Sequence, residues 1–255
     1  MNILGIDHLL FGVDDIPRCA EWLMSFGLGD VASDRHGRRL AAADGSAIVL
    51  RDSKALHLPP APTAGVAFRA TRYTVADRHA LAAIGKALAR DRHIDQGPDG
   101  SLRTMDDAGF CIEFQCDTDA VIFRDGDRKK PARALVQVAY RVPDVERAVR
   151  FYVQRLGFLV RGPDLLRVPA GNTLVLFLQG APGQPCIERI AFASREARDA
   201  DVHGPLGCAI GWGEWAAARG LHDDRDGLVA HSLAGYRPQR HVCPFDCQTS
   251  NAHLL

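Results

Sequence analysis

The chain has 255 residues, 47% of them apolar and 24% charged, with 31 basic against 31 acidic side chains. A chain of that length buries roughly three quarters of its unfolded surface, enough for one large domain or two smaller ones, and its charge balance supplies no net field toward nucleic acid or anionic lipid. No stretch reaches about 18 consecutive apolar residues and the apolar N-terminal segment lacks a basic leader, so a cytoplasmic, unanchored protein is expected, with no nucleic-acid or membrane partner.

The alternating apolar segment 6–13 predicts a strand, Asp14-Asp15 a helix cap, and Ile16, Cys19, Leu23 and Phe26 a helix by their spacing. Segments 39–43 and 46–51 flank Asp44-Gly45, the dipeptide of a tight hairpin turn. A second unit starts at Gly65. It carries Leu81, Ile84 and Leu88 on a helix, turns at Gly97 to Gly100, and ends in a strand over 110–116. Residues 123–133, rich in charge and holding Pro131, read as a linker. The third unit has a strand over 134–142, the cap Pro143-Asp144, and a helix through Val145, Ala148, Tyr152 and Leu156 that stops at Gly157. Strands near 165–168 and 173–178 follow, joined by a turn at Pro169-Ala170-Gly171. A fourth, less regular unit opens at Ile187, has a helix candidate over 212–219, and closes with a strand over 228–234.

These units repeat a phrase. His8-Leu-Leu-Phe11, Gly65-Val-Ala-Phe68, Gln137-Val-Ala-Tyr140 and Arg189-Ile-Ala-Phe192 each place an aromatic three residues after the first position. Near the end of each unit a glycine (Gly45, Gly109, Gly171, Gly227) stands four residues before Val49, Glu113, Val175 and His231. The expected division is a module pair over 1–122, the linker 123–133, and a second pair over 134–255. Seven cysteines are an odd number, and those in apolar runs (Cys111, Cys186, Cys208) or on the first helix (Cys19) suit reduced thiols. In the tail, His241, Cys243, Cys247 and His253 lie close enough in sequence for a zinc site, against the plainer reading of a loosely ordered end.

Four strand-helix-strand-strand-strand copies, with Val142-Pro-Asp144, Phe151-Tyr152 and Leu156-Gly157-Phe158, resemble the vicinal oxygen chelate superfamily of glyoxalases, bleomycin-resistance proteins and extradiol dioxygenases. The four-module layout is most similar to the extradiol dioxygenase branch. The resemblance implies an α+β fold in which βαβββ modules pair into two open β-sheet cups. It also implies a divalent metal, Fe(II), Mn, Zn or Ni, that chelates vicinal oxygens of a small substrate.

Extradiol enzymes hold iron with two histidines and a glutamate, from first strands of modules three and four and the last strand of module four. The matching positions here are Gln137, Arg189 and His231, and an amide and a permanent cation among them disable that triad. The same three residues suit a carboxylate or phenolate and are the candidate substrate-binding set. In the other cup the matching positions are His8, Glu113, Val49 and Gly65. His8 and Glu113 are the candidate metal ligands, with His57 or His36 available to complete the shell. The alternative is that His8 and Glu113 simply pair with each other. The leading expectation is an extradiol dioxygenase-like protein binding a small oxygenated or aromatic molecule. The rivals are a metal-free sequestering protein and a glyoxalase-like enzyme using the first cup. A second copy of the chain is a further candidate partner. No Gly-x-Ser-x-Gly elbow, His-Glu-x-x-His helix or phosphate loop is present.

Overall fold

The computed structural model describes residues 2–25, 27–34, 37–116, 134–183, 185–193 and 208–211. The linker 123–133, the helix candidate 212–219, the strand 228–234, His36, His231 and the tail histidines and cysteines lie outside them.

The first unit is β1 (Ile3–Val13), α1 (Ile16–Ser25), β2 (Gly29–Asp34), β3 (Gly37–Ala41) and β4 (Ala47–Asp52). The second is β5 (Phe68–Val75), α2 (Arg78–Leu88), β6 (Asp95–Gln96), β7 (Leu102–Met105) and β8 (Cys111–Cys116). The third is β9 (Ala134–Val142), α3 (Val145–Leu156), β10 (Leu159–Val160), β11 (Leu165–Arg167) and β12 (Leu174–Gln179), and β13 (Cys186–Ala193) and β14 (Cys208–Gly211) belong to the fourth. The architecture is α+β with βαβββ units. β2 runs through a polar stretch that carried no strand signal. It forms because β3 offers it an open edge.

The helices start where the sequence caps them. Asp15, Asp77 and Asp144 each accept a hydrogen bond from a first-turn backbone N–H, at 3.0, 2.7 and 2.9 Å. Gly157 ends α3 in the left-handed conformation, at φ 73°, a geometry that a Cβ disfavours.

One sheet of eight strands runs β2-β3-β4-β1-β5-β8-β7-β6, and one of six runs β10-β11-β12-β9-β13-β14. Within each complete unit the first and last strands pair in parallel, and the units meet through antiparallel first strands, β1 with β5 and β9 with β13. Alternation then sorts the side chains. Leu9, Phe11, Phe68, Tyr73, Ile112, Phe114, Val138, Tyr140, Phe177 and Phe192 face one continuous core shared by both sheets and the helices. Tyr140 is its hinge pin, 5.0 Å from the Phe110 ring and 6.0 Å from Phe177, with its hydroxyl 2.5 Å from Thr71 Oγ1. Such aromatic contacts contribute about 0.5–1.5 kcal/mol each beyond the area they bury.

Two further bonds tie the first unit to the third. Leu135 N–H donates to Ser46 Oγ at 2.8 Å, and Ala170 N–H donates to the Ile3 carbonyl at 3.0 Å. Gly171 allows that approach, because a Cβ there would stand 2.0 Å from the Leu4 carbonyl oxygen. Among the described residues, no helix is long and apolar enough to cross a membrane.

Candidate functional site

The faces turned away from the shared core form the two cups. On the eight-stranded sheet, strand pairing sets Ala47, His8, Arg72, Glu113, Arg103 and Asp95 in one row, from β4 through β1, β5, β8 and β7 to β6. Residues paired across neighbouring strands point to the same side. His8 and Glu113 therefore share this face, and Arg72 stands between them. A second row, Val49, Leu10, Ala70 and Cys111, is apolar, and Leu58 from the loop after β4 packs onto it.

Glu113 is 1% exposed, and both its oxygens are taken. Arg72 donates to Oε2 through Nε at 2.8 Å and Nη2 at 2.7 Å, and Arg103 donates to Oε1 at 2.7 Å. Arg72 also reaches Gln115 Oε1 at 2.7 Å and Asp99 Oδ2 at 3.4 Å. At the other end of the row, His8 Nδ1 lies 2.6 Å from Asp7 Oδ2 and donates to it, while Arg39 Nη2 donates to Asp7 Oδ1 at 2.7 Å. Burial works to raise the Asp7 carboxyl, but the bonds from His8 and Arg39 outweigh it and hold the group well below its ordinary range. Burial also lowers the His8 imidazole, and the nearby Arg72 and Arg39 charges add to that, against the pull of Asp7. The lowered imidazole favours the neutral ring, and the Asp7 carboxylate at 2.6 Å selects the tautomer with its proton on Nδ1, leaving a lone pair on Nε2, over the one in which Nδ1 accepts from Arg39 Nη1 at 3.2 Å.

Half of this donor set suits a divalent metal. An imidazole whose Nδ1–H is held by a carboxylate is a well-oriented Nε2 ligand. The other half does not, since Glu113 offers no uncommitted oxygen and two guanidinium groups flank the place a cation would occupy. Among the described residues, no group of three or more His, Cys, Asp or Glu side chains is placed to hold a metal ion. The residues of the first cup therefore do not fit a metal as they stand.

The structure also corrects the alignment of the second unit. Val75 and Arg78 stand relative to one another as Val13 and Ile16 do, so Ala70 is the counterpart of His8. Gly65 sits in the turn before β5, at φ 82°. Val49 pairs with Leu10, one side-chain row away from His8, and packs there as part of the apolar patch. His57 lies on the loop that crosses the rim. It lines a cavity of about 380 Å³ with Pro59, Arg103, Met105 and Cys111.

The second cup carries a different chemistry. Arg167, Leu174, Gln137 and Ala191 form one row across β11, β12, β9 and β13, and Leu165, Leu176, Ala139 and Arg189 form the next. Gln137 and Arg189 share a face but are not directly opposite: Gln137 faces Ala191, and Arg189 faces Ala139. Gln137 is 8% exposed. Among the described residues, no side-chain hydrogen bond or ion pair engages Gln137, Arg167 or Arg189, and Arg167 Nε is buried without a partner. These are donors on a floor of leucine and alanine. The first cup satisfies its charges internally; in the second, Arg141 pairs with the buried Glu188 at 2.8–2.9 Å, while Gln137, Arg167 and Arg189 have no side-chain partner among the described residues.

The repeat phrase missed Arg72, Arg103 and Arg167. Arg72 carried a signal, as the polar position between Thr71 and Tyr73, which turn into the core.

No protein-family model matches the chain, and no curated protein is significantly similar to it. Solved structures do match. The Mn(II)-bound glyoxalase from Novosphingobium aromaticivorans is 18% identical at a TM-score of 0.59, over 75% of this chain and 66% of its own. Homoprotocatechuate 2,3-dioxygenase from Arthrobacter globiformis is 20% identical at a TM-score of 0.57, over 76% of this chain and 65% of its own. BphC, a halotolerant catechol dioxygenase, is 11% identical at 0.51, over 75% and 68%. The chain spans about two thirds of the length of these proteins. At such identities the likeness establishes the fold, that of glyoxalases and extradiol dioxygenases.

Proposed function

We propose that the chain is a small-molecule binding protein that holds an oxygenated, carboxylate- or phenolate-bearing ligand in its second cup, without a metal in the first. Gln137 and Arg189 contact the ligand in this reading. His231, outside the described residues, completes the set. The observation that supports it is the buried Arg167 Nε, which has no partner among the described residues, beside Gln137 and Arg189 over an apolar floor. A buried polar group without a partner costs about 1–3 kcal/mol, which a ligand oxygen would return. Guanidinium groups recognise carboxylates through paired N–H donors, and the leucine floor accepts a ring or alkyl body. The structural neighbours named for glyoxalase and catechol dioxygenase activity make a small oxygenated molecule the natural class of ligand.

The metal-enzyme alternative, with His8 and Glu113 as ligands, is disfavoured by the double guanidinium clamp on Glu113. The test is calorimetric titration with benzoate, catechol and neutral benzyl alcohol, on the intact chain and on Arg189→Met and Gln137→Leu. Benzoate or catechol should bind more tightly than benzyl alcohol, with that preference lost in Arg189→Met. Absence of binding by all three at millimolar concentration, or binding indifferent to both substitutions, would end the proposal.

A further inference from the structure

We infer that the guanidinium of Arg72 occupies the place of a divalent cation in the first cup, and that one exchange at this position opens a metal site. The inference concerns the first cup alone and stands apart from ligand binding in the second. Its basis is the row itself. His8, Arg72 and Glu113 come from three adjacent strands, pair directly across them, and point to one face.

His8 is already arranged as a ligand, with Nδ1–H fixed on Asp7 and Nε2 free of any partner among the described residues. Glu113 supplies the anionic oxygen, and Oε2 is the one that Arg72 holds. Arg103 takes only Oε1 and would stay in place if Arg72 were removed, orienting the carboxylate as a supporting contact orients a ligand.

With Arg72 present the array carries one more positive charge than negative. Arg39 neutralises Asp7, and Arg72 with Arg103 surrounds the single charge of Glu113. A cation entering this array meets two fixed positive groups before it meets a donor. Arg72→His removes one positive charge, frees Oε2, and puts a second imidazole between His8 and Glu113. Two imidazoles and a carboxylate on one face form a three-donor site with open positions, the arrangement that binds Mn(II) or Fe(II).

The test uses the full chain, stripped with chelator and dialysed, titrated with Mn(II) and followed by electron paramagnetic resonance and calorimetry. Mn(II) is chosen because it prefers nitrogen and oxygen donors, which keeps the tail thiols out of the measurement. Arg72→His should bind one Mn(II) per chain at least 100-fold more tightly than the native chain, and His8→Ala added to it should abolish the gain. A rise in melting temperature with Mn(II), seen in Arg72→His and not in the native chain, is the second expected readout. The inference is overturned if folded Arg72→His gains no Mn(II), or if the native chain binds one Mn(II) that His8→Ala removes. Should Arg72→His fail to fold by circular dichroism, Arg72→Gln, which removes the same charge and offers an amide oxygen, must show at least a 10-fold gain over the native chain; otherwise the inference falls.

Discussion

Asp106 offers a sharp test of how the two sheets are joined. Its carboxylate is 6% exposed, and Oδ1 accepts the backbone N–H groups of Ala108 and Phe110 at 2.9 and 2.8 Å. Oδ2 accepts the Tyr152 hydroxyl of α3 at 2.9 Å, across the seam between the sheets. Burial raises this carboxyl more than those bonds and their geometry lower it, and it is pushed up to about 6 from 3.8. At 1.36 kcal/mol per unit, a displacement of about two units corresponds to roughly 3 kcal/mol. The sign follows from the raised value. The folded protein favours the protonated acid, so the associated stability is complete below about pH 4 and is lost as pH rises through 6. Asp106→Asn cannot ionise, keeps an oxygen for the two backbone donors, and turns its NH2 toward Tyr152. Urea unfolding followed by tryptophan fluorescence and circular dichroism should show the two proteins within about 1 kcal/mol at pH 4, and the variant more stable by about 2–3 kcal/mol at pH 7.5. An unchanged difference at the two pH values, or a less stable variant at pH 7.5, refutes the reasoning.

Three other outcomes follow from single sites. Gly171→Ala forces a Cβ against the Leu4 carbonyl, and chemical denaturation should show a loss of about 1–3 kcal/mol. Tyr73→Phe should leave stability unchanged or raise it by up to about 1 kcal/mol in the same assay, because the hydroxyl is buried without a partner while the ring keeps its stacking on Phe114. Burial, with the Glu113 charge adding to it, pushes the Cys111 thiol up to about 12. Peptide mapping after iodoacetamide treatment at pH 8 should therefore find Cys111 unmodified in the folded protein and modified after unfolding in urea.

Local chemistry was legible from the residues alone. The caps Asp15 and Asp144, the stop at Gly157, and the turn at Gly45, with φ of 91°, all depend on a few neighbouring atoms. The strand over 134–142 was readable for the same reason. Long-range register was not. Pairing of β1 with β5 shifts between Ile6 and His8 and again between Leu10 and Phe11, and strict alternation carries no sign of such bulges. The shared aromatic of the phrase aligns Phe68 with Phe11, which makes Gly65 the counterpart of His8 and gives Arg72 no place in the pattern. Gly171 was foreseen as a turn residue, but its necessity comes from the Leu4 backbone, far away in sequence. In the second cup, Gln137 and Arg189 were recognisable as donors from their strand positions. Arg167 was not, because only the pairing of β11 with β12 brings it into the Gln137 row.

Because β1 pairs in parallel with β4, a full strand-helix-hairpin crossover must be synthesised before the inner hydrogen bonds of β1 can close. A growing chain that has delivered Leu9 and Phe11 must keep them sheltered until residues 47–52 arrive, and the opposite flank stays open until 68–75 follow. Each unit thus closes as a loop, and any partly folded form that lacks β4 leaves β1 with a sticky, unfinished edge.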